Sequence, residues 1–294
     1  MGNLREIRNR IESVKNTGKI TRAMQMISAA KLRKAQSAML ATRPYSDELD
    51  RLITEVIPNV QKESYPLLNQ RPKKSVEIMI LTSDRGLCGA FNTNVLKETL
   101  HLNKELSSQK LSVSLLAMGK KARDGMRRFE IKPRLSWVDF YKQFTFDDVK
   151  AVADEIIGRY LNEEIDEFIL VYNEFKSMML QTVKCAKMLP IEAVDTTSEH
   201  DNAASQAISK YLYEPSEEEF LKNLLPKYVE NRLFKAILES RVSEEASRMM
   251  AMENATKNTK ELLTALTLQY NKARQATITS ELMDIVGGAE AISK

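Results

Sequence analysis

The sequence predicts an α/β fold joined to a long antiparallel coiled coil. The N- and C-terminal helices pair, and between them lies an open, mostly parallel sheet with flanking helices, Rossmann-like in layout. Three observations predict it. A stretch at each end of the chain is nearly free of glycine and proline and repeats apolar residues at helical spacing. Between those stretches, short apolar runs alternate with helical ones. Aromatic residues are only 6% of the 294, against 14 methionines, which favours helix-rich packing over a large β core.

Residues 1–58 form the first element. Pro44 and Gly18 are the only breakers in 3–57. Leu4, Ile7, Ile11 and Val14 keep a 3-4-3 spacing, and after Gly18 the stripe resumes out of phase at Ile20, Met24 and Ile27. Leu32, Ala35, Met39, Leu49, Leu52, Ile53 and Val56 continue it, and Pro58 closes it. Such a phase shift is what a coiled-coil stutter produces. A single helix here would be on the order of 80 Å long and would need an equally long partner to pack on.

Residues 75–195 form the α/β domain. Val76–Thr82, Leu111–Ala117, Leu135–Phe140 and Phe168–Tyr172 are short, nearly continuous apolar runs, as buried parallel strands are. Helical stretches at about 90–105, 119–129 and 145–161 separate them, and Leu180–Leu189 adds a further strand. Residues 196–209 are small and polar and read as a connection. The last element, 210–294, is a foot segment followed by the C-terminal helix. Ser216 with Glu219 spells a capping box. From there to Val286 no glycine occurs, and Pro226 is placed to kink the helix near its start. Leu221, Leu225, Tyr228, Leu233, Ile237, Met249, Met252, Leu262, Leu266, Tyr270 and Ala273 carry an irregular apolar stripe, which Gly287-Gly288 is expected to end.

No stretch comes near the roughly 18 apolar residues of a membrane-spanning helix. The first residues lack the apolar core of a signal peptide, and Glu6 and Glu12 argue against a transit peptide. The two cysteines, Cys88 and Cys185, form no disulfide framework and read as reduced, buried thiols. His101 and His200 lie far apart with no ligand partners at usable spacing, so no metal and no cofactor is expected. Residues 1–34 carry nine basic residues against Glu6 and Glu12. Nucleic acid, an acidic protein surface and plain solvation all suit that excess. The absence of aromatic residues for base stacking favours a protein partner over nucleic acid.

The loop Thr82-Ser83-Asp84-Arg85-Gly86-Leu87-Cys88-Gly89-Ala90-Phe91-Asn92 follows the first strand and opens a helix, where a doubly wound sheet binds nucleotides. It has two glycines where a dinucleotide fingerprint needs three, and no Gly-Lys-Ser/Thr follows. The second strand ends in Met118-Gly119-Lys120-Lys121, with no acidic residue for a ribose. A tight turn with Asp84 and Arg85 paired locally accounts for the loop more simply. Near the C-terminus, Gln275, Thr279 and Glu281 lie beside Ile278, Leu282, Ile285 and Val286. A mixed apolar and hydrogen-bonding helix end of this kind suits a surface held inside another protein.

Several strings carry a family resemblance: Arg8-Asn9-Arg10-Ile11, Thr17-Gly18-Lys19-Ile20-Thr21-Arg22-Ala23-Met24, Ser83-Asp84-Arg85-Gly86-Leu87-Cys88-Gly89, and Asn271-Lys272-Ala273-Arg274-Gln275-Ala276-Thr277-Ile278-Thr279. In order and spacing they resemble the γ subunits of F-type ATP synthases across essentially the whole chain. The resemblance implies a non-catalytic central stalk, one copy per complex, that couples rotation of a membrane ring to ATP synthesis or hydrolysis in a ring of α and β subunits. It implies contacts with that α/β ring at Met24, Arg248, Gln275, Thr279, Glu281, Ile285 and Val286. It also implies a foot at Tyr211, Tyr213 and Glu214 facing the ε subunit and the c-subunit ring. The expected location is peripheral, on the cytoplasmic face of a bacterial inner membrane. Two other readings stand beside it. One is a nucleotide-binding α/β enzyme dimerised by its terminal helices, and the other is a coiled-coil scaffold that does not rotate.

Overall fold

A computed structural model describes residues 2–142, 144–192 and 216–292. The 196–209 connection and the expected foot residues Tyr211, Tyr213 and Glu214 lie outside them. The chain divides into two compact units, Met1–Ala30 with Arg248–Lys294, and Lys31–Ser247. Two long helices, α1 (Gly2–Val56) and α5 (Glu217–Ile292), contribute to both.

In the first unit the two helices form a heptad seam. On α1 its members are Leu4, Ile7, Ile11, Val14, Gly18, Thr21, Gln25 and Ser28, all buried or half-buried, at alternating steps of three and four. On α5 they are Met252, Thr256, Thr259, Leu263, Leu266, Tyr270, Ala273 and Thr277, with the same alternation. This is the spacing that keeps one stripe of a helix on its partner. The hydroxyls of Thr21 and Thr256 lie 2.9 Å apart. A Cβ on Gly18 would stand 3.1 Å from Thr259 Oγ1, so the helices run antiparallel and approach closely there. The phase shift expected after Gly18 does not occur. The heptad continues through small and hydroxylated residues, and Ile20 (60% exposed) and Ile27 (56%) face outward instead. Near Gly18 the helices are too close to admit bulky side chains, so position in the heptad overrides hydrophobicity. The α5 stripe is regular for the same reason, with Leu263 in the seam and Leu262 outside it.

The second unit holds the sheet. Its strands are β1 (Ser75–Leu81), β2 (Ser112–Met118), β3 (Leu135–Trp137), β4 (Glu167–Phe175) and β5 (Gln181–Leu189), in the order β3-β2-β1-β4-β5. All neighbouring pairs are parallel except β4–β5. Three shorter helices, α2 (Phe91–Ser108), α3 (Lys120–Arg127) and α4 (Phe146–Leu161), lie between strands. Val76, Ile78, Ile80, Leu115, Ala117 and Val171 turn one face of the sheet to α2 and α3. Met79, Leu81, Leu116, Met118, Leu170 and Tyr172 turn the other to α4, the end of α1 and the start of α5. Strand residues alternate faces, so each cluster takes every second residue. Thr145 caps α4 in a capping box with Asp148, and its N–H and hydroxyl hold the Asp148 carboxyl below the usual carboxylate range.

The third strand is shorter than expected. Asp139 takes a positive φ of 61° and gives its N–H to Asp84, and Phe140–Lys142 turns into a 3-10 helix. Phe140 stacks there on Phe144 at 5.6 Å, so ring packing ends the strand. Ser216 Oγ accepts from Glu219 N at 3.3 Å, as expected of the α5 cap, and the helix runs on through Pro226. Gly287-Gly288 does not stop it. Both residues are helical, without the left-handed turn a glycine C-cap uses, and α5 continues to Ile292.

Candidate partner-binding surface

The seam fixes the register of the two helices. Thr21 lies beside Thr256 and Gly18 beside Thr259, so α1 three residues earlier meets α5 three residues later. Continued to its start, that register puts Gly2 opposite Gln275. From Ile278 to Val286 every side chain of α5 is exposed. Ile278 is 47% exposed, Leu282 56%, Met283 67%, Ile285 67% and Val286 55%. Together they present apolar area on the order of a few hundred Å², as large as the largest patch on a typical monomer. At 100° per residue, Gln275, Thr279, Leu282 and Val286 share one face with Ile278, Ile285 and Glu281 beside them, an arc of about 160°. Thr279 already donates its hydroxyl to Gln275 O at 2.9 Å, leaving oxygen lone pairs to accept. The amide of Gln275 and the carboxylate of Glu281 are exposed. Such a face can bury apolar area in a partner and fix its orientation with a few polar contacts.

A second patch lies on α1. Met24 is half-buried beside the seam, with Ile20 and Ile27 within about 60° of it on the helix surface. Met26 is 58% exposed. Arg5, Arg8, Arg10, Lys15, Lys19 and Arg22 are exposed, so the basic excess faces solvent. Arg248, by contrast, is only 7% exposed. Ile20, Ile27 and Met283 were not singled out from the sequence as contact residues. A strict three-four frame counted from Leu4 would have placed both isoleucines outside the seam.

The loop after β1 lies at the switch point between β1 and β4, where a doubly wound sheet binds nucleotides. Its polar groups have other partners. Asn92 Oδ1 accepts from Ser83 N at 2.9 Å, and Ser83 Oγ donates to Arg85 O at 2.5 Å. Asp84 does not pair with Arg85. Its Oδ1 accepts from Lys120 N (2.9 Å) and Asp139 N (3.1 Å), which ties three loops together while Arg85 is exposed. Asn173 Nδ2, at the end of β4, donates to Phe91 O at 3.1 Å, and Ser243 Oγ of α5 donates to Asn173 O at 3.1 Å. The groups that would cradle a phosphate instead join β4, the loop and α5.

Both cysteines are free thiols, and Cys88 is buried as expected. Cys185 is exposed instead, because it sits on β5 at the edge of the sheet. Partial burial of the sulfur, with the Glu98 carboxylate 3.9 Å away, pushes its thiol up to about 11. No helix among the described residues is long and apolar enough to cross a membrane.

A family profile described as ATP synthase matches residues 3–292. The ATP synthase gamma chain of Anaeromyxobacter sp. (strain Fw109-5) is 42% identical over 295 residues, covering 99% of this chain and 100% of the relative. That of Desulfitobacterium hafniense is 42% identical over 292 residues, with 99% and 100% covered. Among solved structures, the central stalk and c-ring structure of the Tetrahymena thermophila mitochondrial ATP synthase contains a chain that superposes with a TM-score of 0.58. It is 28% identical, with 80% of this chain and 99% of that one covered. A chain in the Euglena gracilis mitochondrial ATP synthase rotor reaches 0.65 at 22% identity, covering 94% and 99%, and shares the fold.

Proposed function

The chain belongs to the ATP synthase family as one of its γ chains, and from that premise we propose that it turns inside a ring of α and β subunits as their central stalk. The observation that carries the reading is the end of α5, nine consecutive exposed residues from Ile278 to Val286 with five large apolar side chains among them. A partner that encloses this end recovers the apolar area the chain leaves in water. In this reading Ile285 and Val286 sit in an apolar collar, while Gln275, Thr279 and Glu281 make orienting polar contacts with the ring. Met24, with Ile20 and Ile27, presents a second contact on α1, and Arg248 adds a largely covered one. The exposed basic residues of α1 meet acidic loops of the ring, since ionic contacts tolerate sliding better than packed ones do.

Tyr211, Tyr213 and Glu214 form the foot toward the ε subunit and the c-subunit ring. The chain supplies torque and asymmetry, and the nucleotide chemistry takes place on its partners. The engaged polar groups of the Ser83–Asn92 loop support a role without a catalytic site of its own. The location that follows is peripheral, on the cytoplasmic face of a bacterial inner membrane.

The test is reconstitution with α and β subunits, comparing the intact chain with one that stops before Gln275. The deletion spares the seam up to Ala273, so the coiled coil persists. Intact chain should assemble and give robust, rotating ATPase, and the truncated chain should assemble with severalfold lower activity. A chain that neither assembles nor alters ATPase sinks the reading.

A further inference from the structure

Within the second unit a cavity of about 490 Å³ opens between α1, α5 and strands β4 and β5. Its walls carry four basic and four acidic side chains. Lys184 pairs with Glu174 at 2.8 Å, and Lys235 with Asp50 at 3.2 Å and Asp47 at 3.6 Å. Three ionisable groups stand outside these ion pairs. Arg43 on α1 and Arg232 on α5 line the cavity without a carboxylate partner among the described residues. Arg232 lies over the Tyr228 ring at 5.5 Å. The third is Glu239, whose Oε2 is buried with no hydrogen-bond partner. Burial, with Glu174 nearby, raises the Glu239 carboxyl above its ordinary range although Lys235 opposes this. Tyr172 lies in the same wall, with its hydroxyl engaged by the Glu239 carboxyl.

We propose that this cavity binds a phosphate group, either as free hydrogen phosphate or as the phosphate of a small monoester. Two guanidiniums are the donors that suit the anionic oxygens, through bidentate, charge-assisted hydrogen bonds. A carboxyl beside an anion is repulsive unless one proton lies between them. Phosphate near neutral pH brings that proton as a P–O–H, which Glu239 Oε2 accepts. Sulfate brings none, so it would have to bind beside a bare carboxylate or take up a proton. The cavity is larger than a bare phosphate, which leaves room for an ester's organic part or for water. The site is built from residues of the second unit alone and does not depend on the stalk reading.

The test uses the purified full-length chain at constant ionic strength. Inorganic phosphate and glycerol 3-phosphate are titrated by calorimetry and by ³¹P line broadening, with sulfate as the control anion. At least one phosphate source should bind saturably, and sulfate at least about tenfold more weakly, the scale of one lost charge-assisted hydrogen bond. Arg43→Gln and Arg232→Gln should each weaken binding by about tenfold. Glu239→Gln should bring sulfate and phosphate close to equal. Arg43 is exposed, so its variant folds, and Trp137 fluorescence checks the others. Tighter binding of glycerol 3-phosphate assigns a monoester, and equal or weaker binding assigns the free ion. Lack of saturable binding by both, equal affinity for sulfate in the unaltered chain, or unchanged binding in both arginine variants overturns the proposal.

Discussion

Removing the Glu77 side chain should destabilise the sheet more than any other single carboxylate change. Glu77 is 0% exposed in the central strand β1. Its Oε1 accepts from Ser114 Oγ and Arg134 Nε, each at 3.0 Å, and from Arg159 Nη1. Breaking a buried pair by deleting one partner costs about 3–5 kcal/mol, because the remaining charge is stranded. Here the stranded charges are not fully buried. Arg134 is 30% and Arg159 17% exposed, and they keep Glu155 and Glu164, each at 2.8 Å. That lowers the Coulombic part, while loss of the side chain's packing adds to the cost. Glu77→Ala should therefore cost about 3 kcal/mol, or a fall in Tm of roughly 6–12 °C for a unit of this size. The chain has a single tryptophan, Trp137 in β3, so urea unfolding followed by its fluorescence reports the sheet. Replacing Glu77, Arg134 and Arg159 together by methionine should recover most of the loss, since the carboxylates left behind, Glu155 and Glu164, are 41% and 51% exposed and no buried charge is stranded. A cost below about 1 kcal/mol for Glu77→Ala, or a triple variant no better than the single one, would refute the reasoning.

Two further outcomes follow from single positions. Gly119 has φ +99°, and a Cβ there would stand 2.1 Å from Thr82 O, so Gly119→Ala should cost more than about 3 kcal/mol or prevent folding, read by the same fluorescence. Cys185 is exposed, but a thiol pushed up to about 11 is neutral below that pH. At pH 7.5 it should react with maleimide roughly two orders of magnitude more slowly than an ordinary thiol, and about tenfold faster per pH unit up to pH 10, by peptide mapping. Glu98→Gln should speed it, and a rate equal to that of a free thiol at pH 7.5 would contradict the assigned environment.

Much of the candidate surface was legible in the sequence because it lies on one helix, where spacing alone sets which residues share a face. Gln275, Thr279, Glu281, Ile285 and Val286 could be grouped from their numbers. Their exposure could not, because it depends on the register of α1 against α5, which is set by Gly18 against Thr259 and Thr21 against Thr256. The loop from Ser83 to Asn92 was located at the end of the first strand. What its polar groups bind was not legible, since Asp139, Lys120 and Asn173 reach it from distant parts of the chain.

The sequence by itself determined the two long helices, the alternation of strands and helices and the basic start of α1, because each follows from local propensity and period. The tertiary structure decided between the frame that continues from Leu4 and the one the isoleucines suggest, so that Ile20 and Ile27 face outward while Thr21 and Ser28 are buried. Close approach at a glycine rewards small side chains in a seam, and hydrophobicity along one strand of sequence does not record that approach. It also decided the edge position of β5, the end of strand β3 at Trp137, and the meeting of Arg43, Arg232 and Glu239 around one cavity. Those depend on which surfaces meet, and contacts between residues nearly two hundred positions apart leave no periodic trace in either segment.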